Sequence, residues 1–469
     1  MQVILAGYNV DTEVLEDLKK TSRPRSDVTP ETISASYARI SRDPRPVNEL
    51  RKIAREEVEK ARKSNSAIIF KMGHHSIAEH AVFNFDILGV SRLALEEVEK
   101  FRLCAYTEKS QRYQKLEDDY IIPEEIKAAG LEKDFVNTVK KQNALYHEMV
   151  GQGIEPEDAR YITSLATQGQ LGQTINARNL EFLFRRFASH PFAEIRKLGK
   201  ELYKLVEPIA PSIILFTEAN DFDVKTYGEI RDEIKGKSGG IRGAKGKDVT
   251  LEAHTKNADD VLVASFIHTT SNLPYKKCLK QAKGMGEGEK KELIKKCFRY
   301  AELYDRPQRE FEFIDLTYNL VISAACFGQL KRHRMASITS QAYDPALGVT
   351  IPESIKKAGL EKKFKRIINI TNKTYEKIAT KDPMAAQYVL TNAHRKRVLI
   401  NVNARELYHI SRLREDSHAQ WDIQNISREM TALAKQKMPL AMAFIGGKDR
   451  YPEVYAAHFG TRPKVMPQY

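Results

Sequence analysis

The chain has 469 residues, 42% of them hydrophobic, and a formal net charge of +14, with a pI near 9.3. That apolar fraction supplies the cores of roughly two to three domains, and no apolar run approaches the roughly 18 residues that a membrane-spanning helix needs. The positive balance points to anionic partners, whether nucleic acid, a membrane surface or phosphorylated small molecules, but there is no RGG tract, CxxC knuckle or long basic run to suggest a nucleic-acid module.

In chain order, MQVILAGYNVDTEVLEDLKK reads as a short strand and an amphipathic helix rather than a signal peptide, which places the protein in the cytoplasm. AVFNFDILGV (81–90) alternates as a strand, and SRLALEEVEKFRLCAY (91–106) carries apolar positions at helical spacing. DDYIIP then leads through a proline into the next helix, and residues 134–151 and 156–206 read as mostly helical. Long helices packed on a modest sheet make this a mixed α+β chain. Cys104, Cys278, Cys297 and Cys326 have neither CxxC nor zinc-ligand spacing, so neither a disulfide framework nor a metal site is expected.

A repeat organises the rest. IPEEIKAAGLEKDF (122–135) returns as IPESIKKAGLEKKF (351–364), identical at 11 of 14 positions. INARNLEFLFRRF (175–187) returns as VNARELYHISRLR (402–414), and ETISASYARIS (31–41) has a weaker echo in DVLVASFIHTT (260–270). The common order assigns one copy to residues 1–225 and another to 251–469. Between them, 226–250 includes KGKSGGIRGAKGK (235–247), a Gly- and Lys-rich stretch read as a flexible linker.

Arg-His-Arg, seven residues, then Ser is the signature of the flavin-dependent thymidylate synthases, and RHR stands here at 332–334. GHHSIAEHAVFNF (73–85) resembles that family's Gly-His-x-Ser-Pro-x-Glu-His segment, and CAYTEKSQRY (104–113) its Glu-x-Ser-x-Arg-Tyr loop. NARELYHISRLREDSHAQWDI (403–423) resembles its helix with two arginines nine residues apart. The resemblance covers both copies, so the fold it implies is two tandem thymidylate synthase-like copies with long helices on a mainly antiparallel sheet.

It implies an FAD enzyme that takes hydride from NADPH, takes a one-carbon unit from methylenetetrahydrofolate and converts dUMP to dTMP, with no cysteine nucleophile. The matching residues for dUMP are Glu108, Ser110, Gln111, Arg112 and Tyr113, with Arg160 as a second nucleotide-binding arginine. Ser110 and Arg414 are the implied catalytic pair, Arg414 stabilising negative charge on the pyrimidine ring. For FAD the resemblance implies His74 and Ser76 flanked by Arg39 and Ser41, then Arg102, Asn176 and Arg178 in the first copy. In the second it implies Arg332, His333, Arg334, Asn403, Arg405 and His409. His80 is read as a satisfied core histidine and left out.

Both copies depart from the pattern. Lys100 and Phe101 stand where the second copy has Arg332 and His333, and Phe187 stands where it has Arg414. Ser340, Ala342, Asp344 and Gln387 stand where the first copy has Glu108, Ser110, Arg112 and Arg160. A carboxylate in place of the phosphate-binding arginine repels a nucleotide. Complementary losses imply sites composed from both copies, in a homodimer of tandem chains equivalent to the family's homotetramer. The rival readings are a non-catalytic flavin- or nucleotide-binding homologue and a basic nucleic-acid-binding protein.

Overall fold

The computed structural model describes residues 1–20, 26–235 and 246–465. Among them, alternating apolar positions build two four-stranded antiparallel sheets of the same topology. The first comprises β1 (Gln2–Tyr8), β2 (Val82–Ser91), β3 (Cys104–Glu108) and β4 (Gln168–Asn176), in the order β1-β2-β4-β3. The second comprises β5 (Val249–His254), β6 (Asp315–Ser323), β7 (Ser337–Ser340) and β8 (Arg395–Asn403), in the order β5-β6-β8-β7. Period-two alternation puts Phe83, Phe85 and Ile87 on the buried face of β2, and Leu316, Tyr318, Leu320 and Ile322 on that of β6. Among the described residues no helix is long and apolar enough to cross a membrane.

In each copy the same side chains turn the chain from strand into helix. Ser91 Oγ accepts from Ala94 N at 2.9 Å, and Ser323 Oγ from Cys326 N at 3.0 Å. Asn176 Oδ1 accepts from Asn179 N at 3.0 Å, and Asn403 Oδ1 from Glu406 N at 2.9 Å. These are N-caps, each satisfying a helix N–H that would otherwise lack a partner. They also fix the correspondence of the copies around them: Ser91 matches Ser323, and Asn176 matches Asn403.

Three sequence expectations are corrected. The helix after Ser91 stops at Val98, and Cys104–Glu108 is a strand paired with β4. The 156–206 stretch is interrupted by β4, which runs between β2 and β3. The 226–250 linker is in part a helix, Asp221–Lys235, and in part the start of β5, while 236–245 lies outside the described residues.

Nor is 251–469 one packing unit. The chain divides into Met1–Arg242 with Lys362–Leu390, and Gly243–Glu361 with Thr391–Tyr469, called unit 1 and unit 2 below. The exchange of 362–390 has a physical basis in the long helices Glu132–Gly151 and Glu361–Ala379, which face each other across buried polar contacts. Gln142 Nε2 donates to Thr371 Oγ1 at 2.8 Å and to Val389 O at 2.9 Å. Thr138 and Thr374 hydroxyls are 2.8 Å apart. Beyond the helices, Leu165 N donates to Leu390 O at 2.7 Å and Ala166 N to Tyr388 O at 3.1 Å.

The repeat aligns residue 122 with 351, a shift of 229. Gln142 therefore pairs with its own counterpart, Thr371, at the centre of an antiparallel, two-fold-like arrangement. Two ion pairs flank that centre, Asp134 with Lys377 and Glu148 with Lys363. By the same shift Asp134 corresponds to Lys363 and Glu148 to Lys377. The acids lie on one copy and the bases on the other, so two identical helices in this arrangement would oppose like charges.

Half-exposed pairs of this kind contribute ~0.2–1 kcal/mol each. The double variant K363E/K377E is expected to lower the melting temperature by about 2–4 °C. Adding D134K/E148K should restore it, with both differences shrinking in 1 M salt, as followed by calorimetry.

Candidate functional site

In unit 1, the Ser91 cap starts a helix whose first residue, Arg92, is 5% exposed. A cavity of about 200 Å³ lies beside it, lined by Arg92, Glu108, Ser110, Gln111, Arg160 and Gln168 among others. Arg92 Nη2 is 3.4 Å from Glu96 Oε1, and its Nε is 4.0 Å from Glu108 Oε1. Arg160 Nε donates to Glu157 O at 3.1 Å, and burial pushes the pKa of its guanidinium down. A buried cation of this kind is stabilised by an incoming anion. Arg112 pairs with Glu157, its N–H donates to Ser110 Oγ at 3.2 Å, and its guanidinium stands 5.2 Å from the centre of the Tyr113 ring.

The structure thus brings together Glu108, Ser110, Gln111 and Arg160 of the expected nucleotide set, with Arg112 on the same loop. Tyr113 is 72% exposed and does not line the cavity. Arg92 is absent from the set expected from sequence. The available signal was an arginine inside the apolar run SRLAL, directly after a strand.

A second, wider cleft of unit 1, about 630 Å³, is lined by Tyr37, Ser41, Arg42, His74, Ser76 and His80 among others. His74 and Ser76 therefore share a concave surface with Ser41. Arg39, Arg102, Asn176 and Arg178 do not line it. Arg102 is exposed, Asn176 is a cap, and Arg178 pairs with Glu79. His80, expected in the core, is exposed at the cleft edge, 4.7 Å from the Tyr37 ring in an edge-on contact.

In unit 2, of the Arg332–His333–Arg334 triplet, His333 is buried, Arg332 is partly buried and Arg334 is exposed. Arg414 Nε donates to His333 Nε2 at 2.9 Å, and its Nη2 to Gln329 O at 3.2 Å. On the other side of the ring, His333 Nδ1 lies 3.3 Å from Glu406 Oε1. The His409 ring stands edge-on at 5.6 Å. Burial, reinforced by Arg414, brings His333 down to about 3. Burial also raises the Glu406 carboxyl and lowers His409. Ligand atoms of His333, Glu406 and His409 lie within 4.8 Å of one another, a set that sequence spacing did not reveal, with the Arg414 cation bonded to the same imidazole. Asn403 is a cap, and Arg405 donates to Pro307 O at 2.7 Å and to Glu312 Oε1 at 2.9 Å.

Matched position by position, the units differ in opposite ways. His333, His409 and Arg414 of unit 2 correspond to Phe101, Phe182 and Phe187 of unit 1, where Phe101 packs edge-on against Phe182 at 5.6 Å and Phe187 at 5.8 Å. Conversely, Gly169, which lines the 200 Å³ cavity of unit 1, corresponds to Lys396, and Leu95 and Gln111 correspond to Phe327 and Tyr343. Lys396 is 4% exposed, its Nζ 3.4 Å from the Phe327 ring centre and 4.4 Å from that of Tyr343. At the position of the cavity-lining Gly169, unit 2 therefore has a buried ammonium between two aromatic rings. Asp344, the counterpart of Arg112, caps a short helical turn by accepting from Ala346 N at 2.8 Å.

A family profile described as Thymidylate synthase complementing protein matches residues 26–212 and 250–440. A flavin-dependent thymidylate synthase of Geobacter sulfurreducens is 33% identical over 31% of this chain and 65% of its own length. That of Pyrococcus abyssi is 36% identical over 30% of this chain and 60% of its own length. The match to these two relatives thus spans less than two thirds of either. That of Clostridium tetani is 31% identical over 40% of this chain and 82% of its own length. Among solved structures, thymidylate synthase X of Helicobacter pylori with FAD and dUMP is 20% identical over 44% of this chain and 92% of that one, with a TM-score of 0.33. A UMP/dUMP methylase of Streptomyces cacaoi is 17% identical over 45% and 92%, with a TM-score of 0.37.

The depressed His333 has a measurable consequence. Folded, it stays neutral down to about 3; unfolded, it takes up a proton below its ordinary 6.5. The native state therefore binds fewer protons in that window, and the stability from His333 is full above pH 6.5 and lost as the pH falls toward 3. The slope approaches ~1.4 kcal/mol per pH unit for this group. Urea titrations at pH 7 and pH 5 are expected to show the loss, and His333→Phe, which installs the residue of unit 1, to reduce it.

Proposed function

We propose, for a chain that belongs to the thymidylate synthase complementing protein family and carries two tandem copies of it, that it is a flavin-dependent thymidylate synthase. It converts dUMP to dTMP, with methylenetetrahydrofolate as carbon donor and NADPH as reductant, in the cytoplasm and as a homodimer of tandem chains. The observation that carries the reading is the opposite fate of the two units. Unit 1 has an arginine-lined cavity and phenylalanines at the positions of the His333–Arg414 pair; unit 2 has that pair and, at the position of the cavity-lining Gly169, Lys396 packed against aromatic rings. Each retains a part that the other has given up, as expected if both parts remain in use.

In this reading Arg92, Arg112 and Arg160 with Ser110 hold the nucleotide phosphate and sugar through charge-assisted hydrogen bonds. Glu157 keeps the Arg112 fork in place until the anion arrives. Arg414 faces the pyrimidine ring and stabilises negative charge there; its guanidinium is already ordered by His333 and by Gln329 O, so little reorganisation is needed. FAD, when bound, supplies the hydride chemistry. The cleft with His74, Ser76, Ser41 and Arg42 offers the hydroxyl, imidazole and guanidinium donors that a dinucleotide's phosphates and ribose require, and its 630 Å³ suits a large cofactor.

The test is a visible spectrum and a dTMP assay on the purified full chain. A bound flavin, reduced by NADPH, and dTMP formed from dUMP and methylenetetrahydrofolate are expected; a colourless protein without dTMP formation refutes the reading. Arg112→Ala should act mainly on KM for dUMP. Arg414→Ala should lower kcat by roughly 10²–10³-fold, the usual consequence of removing a donor aimed at developing charge.

A further inference from the structure

We propose that Glu406 is a positioning residue of unit 2, which sets the tautomer of His333 and through it the place of the Arg414 guanidinium. A guanidinium has only donors, so the 2.9 Å bond from Arg414 Nε requires an unprotonated Nε2 on His333. A neutral imidazole then carries its proton on Nδ1. That atom lies 3.3 Å from Glu406 Oε1; both atoms are buried, and neither makes an aligned hydrogen bond, with the other or with any other described group. Left as they are, both atoms carry an uncompensated desolvation cost, and at this separation the smallest adjustment that removes it for both is to align as an Nδ1–H to carboxylate hydrogen bond. The carboxylate behind the ring favours the Nδ1–H form, and the Nε2 lone pair is then directed at Arg414.

The backbone of Glu406 is fixed independently. Its N–H is bound by the Asn403 cap at 2.9 Å, which puts Glu406 in the first turn of the helix Ala404–Arg414. Arg414 is the last residue of the same helix. Carboxylate and guanidinium are therefore held two turns apart on one rigid element, and His333, arriving from another segment, bridges them.

Unit 1 serves as an internal control. All four positions differ there: Asn179, Phe101, Phe182 and Phe187 stand for Glu406, His333, His409 and Arg414. Asn179 Nδ2 turns to its own cap at 2.8 Å, and Phe101 packs edge-on against both Phe182 and Phe187. The helix and its cap persist without the carboxylate, so the fold itself does not require Glu406. Glu406 accompanies the imidazole and the arginine, and is absent where they are absent.

The kinetic consequence rests on the reading of Arg414 given under Proposed function; the tautomer does not. The experiment is ¹⁵N NMR of the full chain with labelled histidine, His333 being assigned by the signal lost in His333→Phe. The native chain should show Nδ1 protonated and Nε2 unprotonated; a protonated Nε2 overturns the proposal on the native spectrum alone. Glu406→Gln, whose amide oxygen still accepts, should keep that signature, and Glu406→Leu should lose it. In the same preparations Glu406→Leu should lower kcat for dTMP formation about 10–100-fold, with Glu406→Gln much closer to native. If Glu406→Leu leaves both the tautomer and kcat unchanged, the assignment fails. A native tautomer as stated, lost in Glu406→Leu, in a chain that forms no dTMP would sink the proposed activity and leave the positioning role standing.

Discussion

The hydrogen bonds from Gln142 to Thr371 and Val389 O are the constraint on which unit 1 depends. They lie at the centre of two long helices derived from one ancestral segment, and they draw residues 362–390 into the packing of the first copy. The path of the chain beyond the helix Glu132–Gly151 is thereby set. The short turn that holds Arg160 ends just before Leu165 and Ala166, whose N–H groups bond to Leu390 O and Tyr388 O. Tyr388 also donates to the half-buried Glu194 at 2.8 Å, and Glu194 in turn binds the N–H and hydroxyl of Ser91, the cap that precedes Arg92. Second-copy residues therefore support the arginine-lined cavity of unit 1 from behind.

The two units show how a duplicated fold specialises without losing its frame. The strand order, the serine and asparagine caps and the buried faces of the central strands are retained in both. The changes fall on side chains that project from this frame. A glycine beside a cavity becomes a lysine between two aromatic rings, and a histidine–arginine bond becomes a phenylalanine cluster. Both exchanges put packed side chains where the other unit has an open or polar arrangement, and the strand order and caps around them are unchanged.

Much of the frame was legible in the sequence. β1, β2, the Glu132–Gly151 helix and the 122–135 repeat carry strong local patterns, and the Asn-Ala-Arg starts of two helices were visible as a repeated pair. β4 was not legible: QGQLGQTIN has two glycines and three glutamines, and it is a strand because β2 and β3 pair with it on both sides. The end of the helix at Val98 was hidden for a similar reason, since Cys104–Glu108 owes its extended form to β4. The exchange of 362–390 has no local signature at all. At the site, the loop 108–113, His333 and Arg414 were each singled out by motif, but the bond between His333 and Arg414 was not. Arg92, Arg42, Glu406 and Lys396 were missed, because each gains its role from neighbours distant in sequence.

The placement of charge on the paired helices also bears on which copies pair. Asp134 and Glu148 on one copy, and Lys363 and Lys377 on the other, make each helix a poor partner for a duplicate of itself. A single copy paired with itself across this face would set Asp134 against Glu148, or Lys363 against Lys377, so the charge pattern favours the two different copies of one chain over two like ones.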